Sequence, residues 1–162
     1  MTVKQRNYFF IYYFLYCTII IGFGIFVGGL VNKDLFSQEQ PSLDHDFMFL
    51  VLSHNLRNYF MYLLGFFVSP ILQIFDFGMS TFTITIGFRS LGATEALQRL
   101  IPHGILEFPN MLLYQGMSQY VLFTLIFSRS IKVTLSAMKK MIPLYIVSLM
   151  ILIVAAILEG YI

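Results

Sequence analysis

The chain has 162 residues, of which 58% are hydrophobic and 11% charged, whereas soluble domains carry about 25% charged residues. A water-soluble core of this size has no room for so many apolar side chains, which excludes an ordinary soluble enzyme and makes lipid the expected solvent. The formal charge of +2 is too small, and its basic residues too scattered, for a nucleic-acid-binding stripe.

Eighteen Phe and ten Tyr with no Trp suit a bilayer, where Tyr can occupy the interfacial belt. Lys4 and Arg6 precede the first apolar run, residues 8–31. That run is longer than a signal-peptide core and lacks a small-residue cleavage site, so it reads as a retained membrane anchor. Gly24 and Gly28 in G-x-x-x-G spacing allow another helix backbone to approach closely. The partner is the next span of the same chain or another subunit, a second copy included. Cys17, the single cysteine, lies inside this run and rules out an intrachain disulfide.

Residues 32–46 form a polar, mostly acidic connection that cannot lie in hydrocarbon. The next apolar stretch is interrupted by His54, Asn55, Arg57 and Asn58. The expected arrangement is an interfacial segment over 47–53 and a crossing over 59–75, with Gly65 and Pro70 at bends and a tight turn at Asp76 and Gly78. A Thr-rich span follows over 77–91, then a short interfacial helix over 92–101, closed by Pro102. Pro102 also suits the first position of a new helix, because its missing N–H has no intrahelical partner there. This helix runs to about residue 127. Arg129, Lys132, Lys139 and Lys140 form a basic connection to a last span over 141–158.

The expected architecture is therefore a single all-α integral membrane domain of about five spans with short interfacial helices. Basic residues in short loops favour the cytoplasmic side. On that rule Lys4 and Arg6 share the cytoplasm with Arg129, Lys132, Lys139 and Lys140, and the C-terminus lies outside.

His103 and Glu107 stand at i and i+4 beside Gly104 and before Pro109, so they share one face of a helix end. Three uses fit this pair: a structural polar clamp, a surface for gating or partner engagement, and catalysis or metal binding. H-x-x-x-E lacks the ligand count of a zinc helix. Asn55 and Arg57 form a second polar island, and a buried Arg57 needs a carboxylate. Glu107 is its first candidate and Asp76 its second. No catalytic triad, phosphate loop or activated cysteine can be assembled. Neither an enzymatic activity nor a cofactor is expected, and an ATP-driven process requires a separate subunit.

The segment Pro102-His103-Gly104-Ile105-Leu106-Glu107-Phe108-Pro109 resembles the P-H-G-x-x-E-L-P signature of the stage II sporulation protein M family, with Phe108 in place of Leu. Asn55-Leu56-Arg57 is similar to that family's Asn-containing segment, and Asp76-Phe77-Gly78 stands where the family often has Asn-Gly. The resemblance implies a bacterial inner-membrane protein without established catalysis. It serves either beside transporter ATPases in bacteriocin or peptide export and immunity, or in the engulfment machinery of sporulating cells. A compact chain without an added domain favours the transport-associated role, with Arg129, Lys132, Lys139 and Lys140 as the surface for a cytoplasmic partner. The alternative is a scaffold that holds peptidoglycan-remodelling proteins through residues 32–46.

Overall fold

The computed structural model describes residues 3–32 and 45–161, and within these the side chains of 45–47, 99, 102, 103 and 159–161 are not described. Among the described residues five long α-helices follow one another: α1 (Val3–Leu30), α2 (His45–Leu64), α3 (Ser69–Leu91), α4 (Ala93–Ser128) and α5 (Ile131–Tyr161). A short 3-10 helix, Phe66–Val68, joins α2 to α3. Among the described residues there is no strand.

Pairwise contacts give the direction of each helix. Tyr16 meets Pro70, Cys17 meets Gln73, and Gly28 packs on Thr85. Residue numbers rise together along this contact, so α1 and α3 run parallel. On α4 the order reverses: Phe108 packs at Cys17 and Ile20, whereas Tyr120 and Phe123 pack at Phe9. The helices thus alternate up and down, α2 running with α4 because Asn55 meets Glu107 and Tyr62 meets Ser118. Arg6 of α1 and Lys132 of α5 border the same groove, which puts the α1 N-terminus and the α4–α5 turn at one end of the bundle.

Among the described residues three stretches are long and apolar enough to cross a membrane, namely Val3–Leu30, Phe66–Leu91 and Ile131–Leu158. This corrects the expectation of five apolar crossings. The outer helices turn large apolar groups outward; Phe14 and Ile19 are each 70% exposed while Phe77, on the inner face of α3, is 0%. The two more polar helices have a different environment. Helix α4 touches all four of the others, and Asn110, Gln115, Ser118, Gln119 and Thr124 along it are buried. A helix ringed by other helices can carry amides because lipid never meets them.

Several expected boundaries shift for identifiable reasons. The polar island at 54–58 does not split a span; it lies within α2, where His54 and Arg57 are exposed and Asn55 is partly buried. The break comes at Gly65, where a Cβ would lie 2.6 Å from the Met61 carbonyl oxygen. Asp76 and Gly78 form no turn, being inside α3. The interfacial helix expected over 92–101 is the first part of α4, which continues through Pro102 and Pro109. Packing against neighbours can offset the lost proline hydrogen bonds. The true boundary is Gly92, with φ 84°, a conformation favourable only to glycine. The basic connection is itself mostly helical: Arg129 caps α4 in the left-handed region, and Lys132, Lys139 and Lys140 belong to α5.

The glycine pair of α1 does mediate close packing, but on α3 rather than on the following helix. A Cβ at Gly24 would fall 1.9 Å from Thr81 Oγ1, and one at Gly28 would fall 2.9 Å from Thr85 Cβ. Gly22 and Gly29 face open space. Arg89 of α3 reinforces this contact, its Nη1 donating to the carbonyls of Gly28 (2.6 Å) and Val31 (2.7 Å) at the end of α1. A cation there also meets the negative end of the α1 dipole.

This geometry predicts opposite signs for two similar substitutions. Gly24→Ala overpacks the α1–α3 contact and is expected to destabilise the protein by about 1–3 kcal/mol. Gly22→Ala gains helix propensity of roughly 0.5–1 kcal/mol with nothing to strike. Thermal unfolding of both variants in one detergent checks the pair; equal midpoints would contradict the α1–α3 packing.

Candidate functional site

The sequence places amides and carboxylates on α2, α3 and α4, and their mutual packing opens a cavity of about 560 Å³ bordered by His54, Asn55, Asn58, Asp76, Glu107 and Asn110. Two carboxyl groups from different helices face this one space. Each is held by a hydrogen bond across the bundle. Asn55 Nδ2 donates to Glu107 Oε1 at 2.6 Å, and Tyr62 Oη donates to Asp76 Oδ2 at 2.8 Å. Asn58 Nδ2 and His54 Nε2 lie 3.3 Å apart on α2. The cavity thus combines carboxyl oxygens with amide donors inside the helical bundle.

A polar chain continues from Asp76 into the core. Gln115 Nε2 donates to Tyr62 Oη at 3.2 Å, and Ser118 Oγ donates to the Tyr62 carbonyl at 2.7 Å. One turn along α4, Gln119 Nε2 donates to Gln73 Oε1 at 2.7 Å; Gln73 Nε2 in turn reaches Tyr13 Oη and Cys17 Sγ, each at 3.3 Å. Gln73, Gln115 and Ser118 are completely buried. The Oε1 atoms of Gln115 and Gln119 have no hydrogen-bond partner among the described residues, so the network retains spare acceptor capacity. At the edge of the cavity, Asn110 of α4 and Ser148 of α5 form a reciprocal pair: Asn110 Nδ2 donates to the Ser148 carbonyl (2.9 Å) and Ser148 Oγ donates to Asn110 Oδ1 (2.7 Å).

The residues singled out from sequence are only partly brought together. Asn55 and Glu107 meet directly. Arg57, expected to be buried against Glu107 or Asp76, is exposed, and Asn55 supplies the contact to Glu107. The physical reason is helix phase: positions two apart on α2 point about 200° from each other, so Asn55 and Arg57 cannot both face α4. His103 sits one turn before Glu107 on α4, with its side chain outside the described ones. Gly104 lines the cavity, but the group it accommodates is the flexible Leu100 side chain, at 2.9 Å from an added Cβ, and not a neighbouring backbone. Cys17 is buried and accepts a hydrogen bond from Gln73.

The sequence reading missed Gln73, Gln115, Gln119 and Arg89. Gln115 and Gln119 carried a usable signal, because amides one turn apart inside a membrane helix share a face that needs a partner. Among the described residues no group of three His, Cys, Asp or Glu side chains comes together to hold a metal ion. The arrangement can accept a proton or cation at its carboxylates and exchange hydrogen bonds with amide or amine groups.

The helix phase of α2 generates a contrast. Asn55→Leu removes a donor from a partly buried carboxylate and is expected to cost about 1–3 kcal/mol. Arg57→Gln changes an exposed side chain and is expected to stay within about 0.5 kcal/mol. Unfolding of both variants in detergent provides the comparison, and a larger loss at Arg57 would show that the side chains are exchanged.

The comparisons with known proteins fit this geometry. No curated protein and no solved structure matches the chain. The family model described as stage II sporulation protein M matches residues 10–162, which takes in every helix and both sides of the cavity. The chain is therefore an integral membrane protein belonging to the stage II sporulation protein M family.

Proposed function

We propose that this protein is a non-catalytic membrane subunit of a transport-associated complex, acting in bacteriocin or peptide export or immunity with a separate ATPase. The observation that carries the reading is the pair of carboxyl groups, Asp76 and Glu107, that α3 and α4 direct into one cavity. Placing two acids within a helical membrane bundle is costly and is typical of sites that handle a substrate or couple a conformational change. The sequence has no phosphate-binding loop, so energy for an active cycle enters through a partner.

In this reading the basic end of the bundle faces the cytoplasm of a bacterial cell, in keeping with the positive-inside tendency. The N-terminus is then inside and the C-terminus outside. Arg129 and Lys139 are exposed there and offer a contact for an acidic surface on the ATPase. A scaffold for peptidoglycan-remodelling proteins is the competing role, and it requires a partner on the opposite face.

The test separates charge from shape. Glu107→Gln keeps the volume and much of the hydrogen bonding of the side chain while removing its charge. The expected result is membrane abundance close to wild type with at least a tenfold loss of export or resistance. Photocrosslinking from position 139 in native membranes is expected to capture an ATPase subunit. Full activity of Glu107→Gln, or capture of cell-wall hydrolases by probes on the opposite face with none at position 139, would overturn the proposal.

A further inference from the structure

A second concavity lies on the outside of the bundle. Helices α1 and α5 both pack on α4 but touch each other barely, if at all, and the space between them is a groove of about 990 Å³. Its length is apolar, bordered by residues such as Phe9, Leu112, Leu113 and Leu144. Its floor is thin at Gly116, where an added Cβ would lie 3.0 Å from the Tyr13 ring. At one end stand Arg6 and Lys132, and Lys140 follows about 12 Å further along α5; all three are exposed, and among the described residues no Asp or Glu lines the groove.

We propose that this groove is a binding site for one anionic phospholipid, with its acyl chain along α4, its phosphate between Arg6 and Lys132 at the end, and Lys140 reaching back along α5 toward it. Three features select this occupant. Arg6 and Lys132 face each other from the two walls at one end and Lys140 extends the charge along α5 toward the middle, which matches an amphiphile with a charged head and an apolar tail. The opposite end is uncharged. On α4 the groove extends from Pro109 to Thr124, about 22 Å of helix at about 1.5 Å per residue, comparable with one leaflet and its headgroup layer at roughly 20–22 Å. Basic pockets between membrane helices recognise anionic headgroups by the same charge complementarity. The site rests only on membrane insertion, so it stands or falls separately from the transport reading.

The full-length protein, purified in detergent and stripped of lipid, is titrated with phosphatidylglycerol, with phosphatidylcholine of the same chains, and with soluble glycerol phosphate. Thermal midpoint and native mass spectrometry report binding. Phosphatidylglycerol is expected to raise the midpoint and to remain bound at one per protein, with no comparable effect from the other two. The triple variant Arg6→Gln, Lys132→Gln, Lys140→Gln is expected to bind on the order of a hundredfold more weakly, at roughly fivefold per basic side chain near an anionic lipid. The double variant Lys132→Arg, Lys140→Arg keeps the charges and should retain binding. A charge-matched control, Lys4→Gln, Arg129→Gln, Lys139→Gln, changes residues that do not line the groove and should bind like wild type. Equal loss in this control means diffuse attraction, an equal response to phosphatidylcholine means a nonspecific apolar surface, and an equal response to glycerol phosphate means a headgroup site alone. Each of these overturns the proposal, as does protein rather than lipid captured by a photoprobe at Ala137 in native membranes.

Discussion

Gln73 joins three helices through one side chain. It accepts from Gln119 of α4 and donates toward Tyr13 and Cys17 of α1, and no part of it is exposed. In hydrocarbon an amide without partners costs several kcal/mol, so Gln73 on α3 and Gln115 and Gln119 on α4 are tolerable only where other helices supply the partners. This requirement explains the arrangement of the bundle. The three apolar stretches bear most of the exposed large apolar side chains, and α4, the longest helix and the one richest in buried amides and hydroxyls, touches every other element. The close approach at Gly24 and Gly28 serves the same end, because it brings α3 near enough to α1 for Gln73 to reach Tyr13 and Cys17.

Composition announced the solvent, and the apolar runs of α1 and α5 were plain because lipid-facing helices need an unbroken supply of large apolar groups. The interior helices were harder to read. Hydropathy treats Asn55 and Glu107 as interruptions, yet in the folded chain they meet each other and interrupt nothing. Proline and glycine misled for a related reason. Pro102 read as a boundary, whereas α4 runs through it and on through Pro109; Gly65 and Gly92 mark the real ones, since the first has no room for a Cβ and the second has a positive φ. Local rules describe a helix in isolation, and α4 is the helix least isolated here.

The site was legible as a set of residue types and less so as a geometry. The signature segment on α4 drew attention to Glu107 from sequence alone, and the resemblance it carried is upheld by the match to the family over residues 10–162. Its partner was misassigned because opposite charge suggested Arg57. Helix phase decided otherwise, and Arg57 went to the surface. Asp76 entered the site because α3 begins at Ser69, well before the turn expected from Asp76 and Gly78. That earlier start carries Asp76 one turn beyond Leu72 and brings it opposite Tyr62.

The cavity and the outer groove are connected through α4. Glu107, Asn110, Met111 and Tyr114 face the cavity, while Pro109, Leu112, Leu113 and Gly116 face the groove. These are two ridges of i, i+3, i+4, i+7 spacing offset by two residues, and an offset of two turns a helix by about 200°. The same two turns of α4 therefore form a wall of both spaces. With Gly116 already against the Tyr13 ring and Asn110 locked to Ser148, this segment cannot shift toward one space without enlarging the other. Close-packed interiors transmit such displacements rather than absorb them. A displacement of this one segment would therefore change the groove and the carboxyl-lined cavity together.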